Sequence, residues 1–319
     1  MTFYVNSLLL ILIVSTGVVI AASDYAPSGV EMTPVQVSEH VWYVKGMSGV
    51  ATDNEGFISN AGFVITPAGV VVYDALGTPS LAKKLVDEIQ KLTDKPIKKL
   101  IVSHYHADHI YGLQVFKQLG AEILAPEGAY TYIDSAIGRE RLEERRVSLS
   151  PWVNENTYIV KPDRVLERSE SFSLGGIDFL INVVGPAHSD GDMTLFVKND
   201  RVLFSGDIIF EQRLPYLGSA HTKFWLATLQ EMEMKSLHGL VPGHGAAAKE
   251  PTKTVSLTRR YLAFIREQMA AAVDELQAFD EAYDQTDWSA FANLPAFKQA
   301  NRKNAYQVYL SLEAEALED

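Results

Sequence analysis

The chain has 319 residues, 47% of them hydrophobic and 21% charged, which is the make-up of a globular protein able to bury a large core. A formal net charge of -12 makes a phosphate backbone an unfavourable partner, so no nucleic acid is expected to bind. Cysteine is absent, which excludes disulfides, thiolate metal ligands, a catalytic thiol and a lipidated N-terminal cysteine.

No charged side chain precedes Asp24, and residues 7 to 22 are apolar or small, ending in Ala21-Ala22-Ser23. That pattern reads as a secretory signal peptide over residues 1–23, which would place the folded part in the periplasm. The expected Lys or Arg at its start is missing, and the alternative is an uncleaved membrane anchor. Residues 24–34, with Pro27, Gly29 and Pro34, read as a linker.

From Val35 to Val44 polar and apolar residues roughly alternate, as in a strand with one buried face. Residues 46–56 carry three glycines and Asp53-Asn54-Glu55, the composition of a flexible flap. Strands are expected at Phe57–Thr66 and Val70–Tyr73, the second closed by Asp74. A helix is expected over Pro79–Leu92, with Leu81, Leu85, Ile89 and Leu92 on one face and Pro79 in its first turn. The apolar run to Val102 reads as a buried strand. A helix over Ile110–Leu119 and a strand over Glu122–Ala125 follow. The charge run in residues 127–150 reads as a solvated helix without chemistry. The second half repeats the grammar, with strands at Phe172–Leu174, Ile177–Val184, Met193–Val197, Arg201–Phe204 and Gly239–Val241 and a helix over Lys223–Leu237. From Thr254 onward the spacing is helical, with a last helix over Asn304–Leu317. Alternating strands and helices in two such halves predict an α/β protein of two face-to-face sheets with helices outside. The expected division is a domain over residues 35–250 and a C-terminal helical extension over 251–319.

Chemistry concentrates in Ser103-His104-Tyr105-His106-Ala107-Asp108-His109, which holds three of the chain's 8 histidines. Neutral imidazoles and carboxylates are the ligands zinc prefers. His104 and His106, two apart, can reach one ion, whereas Asp108 and His109 point elsewhere and suggest a second. Three further motifs stand where apolar strands end: Gly185-Pro186-Ala187-His188, Ser205-Gly206-Asp207 and Pro242-Gly243-His244-Gly245. Glycines beside each candidate let backbone pass close to a metal centre. One such residue alone would more often be an ordinary loop residue, but four clusters at strand ends are hard to explain that way.

In this order, the motifs HxHxDH, His, Gly-Asp and Pro-Gly-His-Gly, with Asp74 closing an early strand, resemble the metallo-β-lactamase superfamily from about residue 35 to 250. The resemblance implies an αββα sandwich with a dinuclear site along one edge. It implies that His104, His106 and His188 hold a first metal, that Asp108, His109 and His244 hold a second, and that Asp207 bridges them. Two Zn2+ are the implied cofactors, with iron possible. Asn60-Ala61-Gly62-Phe63-Val64, Leu214-Pro215-Tyr216-Leu217-Gly218 and Trp225-Leu226-Ala227 resemble a narrower group, the exported quinoprotein relay system zinc metallohydrolases, similar to a protein of sulfur-oxidation clusters. That likeness implies a link to a periplasmic oxidation pathway.

The implied activity is hydrolysis of an ester, thioester, lactone or amide bond in a small-molecule substrate. Asp108 would be the catalytic residue that orients the nucleophile and collects its proton. His221, between two ligand motifs, is a candidate for lining the substrate pocket. The competing readings are a mononuclear iron dioxygenase of persulfide type, which shares HxHxDH, a class B β-lactamase, and a non-catalytic pathway partner. The commonest zinc β-lactamases carry cysteine where Asp207 stands.

Overall fold

The computed structural model describes residues 25–218, 220–233 and 236–318. The expected signal peptide, residues 1–23, lies outside the described residues. No helix among those described is long and apolar enough to cross a membrane.

Two sheets pack face to face. The first has seven strands in sequential order: β1 (Val35–Gln36), β2 (Val41–Val44), β3 (Ala61–Thr66), β4 (Gly69–Tyr73), β5 (Ile97–Ile101), β6 (Glu122–Pro126) and β7 (Arg164–Leu166). Its first four strands run antiparallel and the rest parallel. The second sheet has five strands, ordered β12 (Gly239–His244), β11 (Val202–Phe210), β10 (Asp192–Val197), β9 (Ile177–Gly185) and β8 (Glu170–Leu174). Strands β8 to β11 are antiparallel and β12 joins β11 in parallel.

Strand β4 shows why the layers form. Its Gly-Val-Val-Val-Tyr run is buried on both faces: Val70 and Val72 face one core, Val71 and Tyr73 the other. Side chains alternate across a strand, so a continuous apolar run needs cover on both sides. Helix α1 (Pro79–Leu92) supplies it outside, burying Leu81, Leu85 and Ile89 beside Leu100 and Val102. Thr78 caps α1, its Oγ1 accepting from Leu81 N at 3.1 Å, with Pro79 in the first turn where no amide partner is needed. The second sheet supplies the inner cover, where Val71, Tyr73 and Ile101 meet Phe179, Leu195 and Phe204.

The second sheet's outer face is covered by α6 (Thr222–Glu233), α7 (Pro251–Asp274) and α9 (Phe297–Glu318). Trp225, Tyr261, Ile265 and Val308 share one core with Ile208 and Phe210 of β11, so the C-terminal helices form the fourth layer of the sandwich.

Several sequence expectations shift. The first strand splits, because Asp200 accepts from Ser38 Oγ and His40 N and bends the chain between β1 and β2. Residues 57–60 turn before β3 instead of extending it. The expected helix after the histidine cluster is two short ones, α2 (Ala107–Ile110) and α3 (Leu113–Gln118). The charged region is α4 (Gly128–Ile133) and α5 (Ala136–Ser148), and β7 and α8 (Phe279–Gln285) have no counterpart in the reading. Asp207 and His244 lie inside β11 and β12 rather than beyond their ends. The pairing register shifts around Gly206, whose φ is +52°, so the glycine read as a strand end is a bulge within one.

The sheets leave no room for a side chain where Gly62 of β3 meets Phe204 of β11. A Cβ on Gly62 would stand 2.0 Å from Cε1 of Phe204, a fully buried ring stacked on Tyr73 with centroids 5.4 Å apart. Gly62→Ala is therefore expected to cost about 1–3 kcal/mol of stability as overpacking. Urea unfolding would show it, and an unchanged midpoint would contradict this account of the sheet spacing.

Candidate metal centre

One edge of the sandwich gathers the ends of β4, β5 and β9 with the bulged β11 and β12. The two sheets are tied there by backbone: Met193 N donates to Ser103 O at 2.8 Å, and Asn60 N to Gly243 O at 2.8 Å. Tyr73 Oη adds a bond to Met193 O at 2.7 Å.

The structure brings His104, His106, Asp108, His109, His188, Asp207 and His244 into one cluster. His106 Nδ1 lies 3.0 Å from His104 Nε2 and 3.1 Å from His188 Nε2. A second group is Asp108, His109 and His244, with Asp108 Oδ2 3.5 Å from His109 Nε2 and 3.3 Å from His244 Nε2. Asp207 stands between them: Oδ1 is 3.3 Å from His109 Nε2, and Oδ2 is 3.5 Å from His188 Nε2 and 3.2 Å from His244 Nε2. Each group could hold one ion, with Asp207 shared.

Partners behind the cavity set the imidazole tautomers. Asp74, itself buried, accepts from Ser103 N at 2.7 Å, Ser103 Oγ at 2.8 Å and His109 Nδ1 at 2.9 Å. A carboxylate only accepts, so the serine's one proton goes to Asp74 and its oxygen receives His104 Nδ1–H, 2.8 Å away. His244 Nδ1 donates to Ile58 O at 2.8 Å. All three rings therefore commit Nδ1 to these partners and turn Nε2 inward, the nitrogen that a metal would take. His188 Nδ1 has no such partner; packing holds its ring, 5.4 Å from Trp225 and 5.9 Å from Phe210.

These residues fit a metal. His109 Nε2 and Asp207 Oδ1 are buried 3.3 Å apart and, among the described residues, make no hydrogen bond of good geometry, although such atoms are costly to leave unmatched. Charge tells the same story. Burial pushes His104, His106 and His188 down, His188 to about 3. Burial also opposes charge on His109 and His244, but Asp108 and Asp207 outweigh it, holding His109 well above the usual range and His244 at about 9. For Asp108 and Asp207 burial works upward, and His109 and His244 hold both below the usual carboxylate range. The carboxylates thus call for positive charge between them, which divalent cations supply in place of protons.

Three residues outside the metal-ligand motifs also shape this edge. Asp192 is buried and accepts from Ala187 N (3.1 Å), Ser189 N (2.9 Å) and Ser189 Oγ (3.1 Å), fixing the turn that presents His188. Its signal is an acid four residues past a candidate ligand. Asn60 bonds Gly46 N, Pro242 O and Gly245 O, joining the flap to the His244 turn. Arg213 Nη1 lies 3.4 Å from His244 Nδ1, and nothing in the sequence marks it. Gly243 is required by contact: a Cβ there would meet Asp207 Oδ1 at 2.0 Å.

His221 does not join the cluster. Its backbone N donates to Ala187 O, but its side chain is 45% exposed and lies 3.6 Å from Asp190. His40 pairs with Asp200 at 2.9 Å and His238 is exposed, both outside the site.

Residues 54–278 match the family model described as the metallo-beta-lactamase superfamily. A linear primary-alkylsulfatase from Pseudomonas sp. is 23% identical over 239 residues, 63% of this chain and 45% of that protein, so the chain spans less than half of that relative. A type 2 metallo-beta-lactamase from Elizabethkingia meningoseptica is 25% identical over 193 residues, 59% of this chain and 69% of that one. The solved sec-alkylsulfatase Pisa1 from Pseudomonas sp. matches with a TM-score of 0.68 and 16% identity, over 88% of this chain and 50% of its own. A metallo-beta-lactamase from Pontibacter korlensis matches at 0.57 and 18%, over 73% and 99%. Both structures show the same fold.

Asp74→Asn keeps the shape but replaces one accepting oxygen with a donor. Metal affinity, measured by chelator competition, is expected to fall about 10–100-fold, the range seen when such supporting partners are lost. Unchanged affinity would mean that Asp74 does not set the imidazoles.

Proposed function

The chain belongs to the metallo-beta-lactamase superfamily, and on that premise we propose that it is an exported hydrolase with a dinuclear, zinc-holding site. Its substrates on this reading are small molecules with an ester, thioester, lactone or amide bond, and the alkylsulfatase relative adds sulfate esters to the classes worth testing. The observation that carries the reading is the convergence of five imidazoles and two carboxylates in one cluster, whose buried His109 Nε2 and Asp207 Oδ1 make no hydrogen bond of good geometry among the described residues.

His104, His106 and His188 would hold one ion, Asp108, His109 and His244 the other, with Asp207 between. Metal ions bound there supply Lewis-acid polarisation of the scissile group and a hydroxide nucleophile at neutral pH. The chain's own part is orientation and proton handling. Asp108, 22% exposed where Asp207 is 6%, is the carboxylate of the site that a substrate-side water can approach. Kept ionised, it can accept that water's proton and aim the lone pair at the substrate. Ser59 Oγ, donating to Asp108 O, and the short helix α2 fix it in place. Asp207, beside three imidazoles, offsets charge that would drive two cations apart.

Metal analysis of the purified protein, followed by chromogenic esters, thioesters, lactones, nitrocefin and an aryl sulfate, tests the reading. Two metals per chain and a hydrolysis lost on chelation are expected. One iron per chain with oxygen uptake on persulfides would instead establish the dioxygenase. Asp207→Ala should lose much of the metal and nearly all turnover while remaining folded, because the core lies elsewhere. Full occupancy with near-normal turnover would remove Asp207 from the ligands. Export predicts a mature N-terminus near Asp24 by N-terminal sequencing; a retained Met1 in the membrane fraction would favour an anchor. A role beside a periplasmic oxidation pathway belongs to the same proposal, resting on the subgroup motifs alone.

A further inference from the structure

The motif Asn60-Ala61-Gly62-Phe63-Val64 opens β3, and its asparagine takes no part in the chemistry described above. Asn60 is buried, and both ends of its side-chain amide are engaged. Nδ2 donates to Pro242 O at 2.7 Å and to Gly245 O at 2.9 Å, while Oδ1 accepts from Gly46 N at 2.9 Å. Its backbone N donates to Gly243 O at 2.8 Å. Carbonyls only accept and the Gly46 amide only donates, so this network admits one orientation of the side chain. The three carbonyls belong to residues on either side of His244. One residue of the first sheet thus clamps the part of the second sheet that presents this imidazole.

Asn60 does not act alone. Two residues earlier, Ile58 O takes the proton of His244 Nδ1 at 2.8 Å, and Ser59 Oγ donates to Asp108 O. His244 and Asp108 are two of the three residues of the second group. Among the described residues, no hydrogen bond joins residues 58–60 to His104, His106 or His188. The base of the flap closes the arrangement. A Cβ on Gly46 would stand 2.5 Å from both Ile58 O and Ser59 O, so its amide reaches Asn60 only because a glycine is there. Lifting the flap base would leave Asn60 Oδ1 buried without its partner, so the seat of the flap and the clamp on His244 share one energetic cost.

We propose that Asn60 is a positioning residue for the second metal group, and that it ties the hold on that metal to the seating of the flap. The proposal rests on the dinuclear reading. The first group keeps its own supports, Ser103 for His104 and Trp225 packing for His188, so its hold on a metal is independent of Asn60.

The test compares wild type with Asn60→Leu, close in volume but without the amide, and with Gly46→Ala, which displaces the flap base and leaves Asn60 in place. Stepwise zinc affinities are read by chelator competition. The His244 Nδ1 proton is read by NMR, its signal identified by its absence in His244→Gln. Asn60→Leu should weaken the second zinc about 10–100-fold, the range for lost supporting partners, with the first unchanged and the His244 signal lost. Gly46→Ala should weaken the second zinc in the same sense, at least about threefold. An unchanged second affinity in Asn60→Leu, or equal weakening of both zincs, overturns the proposal. A loss in Asn60→Leu with none in Gly46→Ala overturns the link to the flap and keeps the role of Asn60. If Asn60→Leu does not fold, Gly46→Ala decides, and an unchanged second affinity there overturns the whole. One zinc per wild-type chain would sink the dinuclear reading; the positioning role then stands if Asn60→Leu still loses the His244 signal and falls if the signal stays.

Discussion

Asp74 is a buried carboxylate that faces no substrate, yet the metal centre is arranged by it. It sits where β4 ends, with its amide donating to Ile101 O at 3.0 Å, and so spans the two strands that deliver the site. Its oxygens take Ser103 N, Ser103 Oγ and His109 Nδ1 together, and through Ser103 they set His104 as well. Holding this geometry has a cost. Asp74 has φ +63° and Leu76 φ +65°, conformations that non-glycine residues adopt at a penalty on the order of 1 kcal/mol or more. Asparagine and aspartate tolerate that region better than most, which is one reason an Asp can stand there. The strain persists because β4, α1 and the cluster that follows β5 fix the chain on every side.

The second sheet meets this frame through contacts only small residues permit. A Cβ at Gly206 would lie 2.5 Å from Ser103 Cβ, and one at Gly243 would strike Asp207. Asp207 can therefore stand between the two imidazole groups only because β11 bulges at Gly206 and β12 passes without a side chain at Gly243. The helical layer behind β11 contributes Trp225, which packs on His188 and donates to Ile208 O at 2.9 Å. One face of that layer thus steadies a ligand, while Asn304 and Pro295 steady the segment carrying Arg213.

Much of this was legible in the chain. Helix α1 occupies the residues its periodicity and Pro79 indicated, because an apolar stripe and a first-turn proline are local signals. The candidate ligand clusters were visible because imidazoles are scarce and three of the four clusters contain a glycine. What failed depends on partners distant in sequence. The bend that splits β1 from β2 is made by Asp200, some 160 residues away. The continuation of β11 past Gly206 rests on pairing with β12, and a glycine alone reads equally as a stop. Asp192 and Arg213 gain meaning only once folding places them beside His188 and His244. The charge run of α5 reads as solvated from its composition, and its Arg141 pairs with Glu144 on an exposed face.

An anomalous-scattering map from a zinc-loaded crystal tests most directly whether the cluster holds two metal ions with Asp207 between them. The account predicts two peaks, one within about 2.0–2.1 Å of His104 Nε2, His106 Nδ1 and His188 Nε2. The other should be shared by Asp108, His109 and His244, with an oxygen of Asp207 reaching each. A single peak that Asp207 does not touch, or none in the cavity, would contradict it.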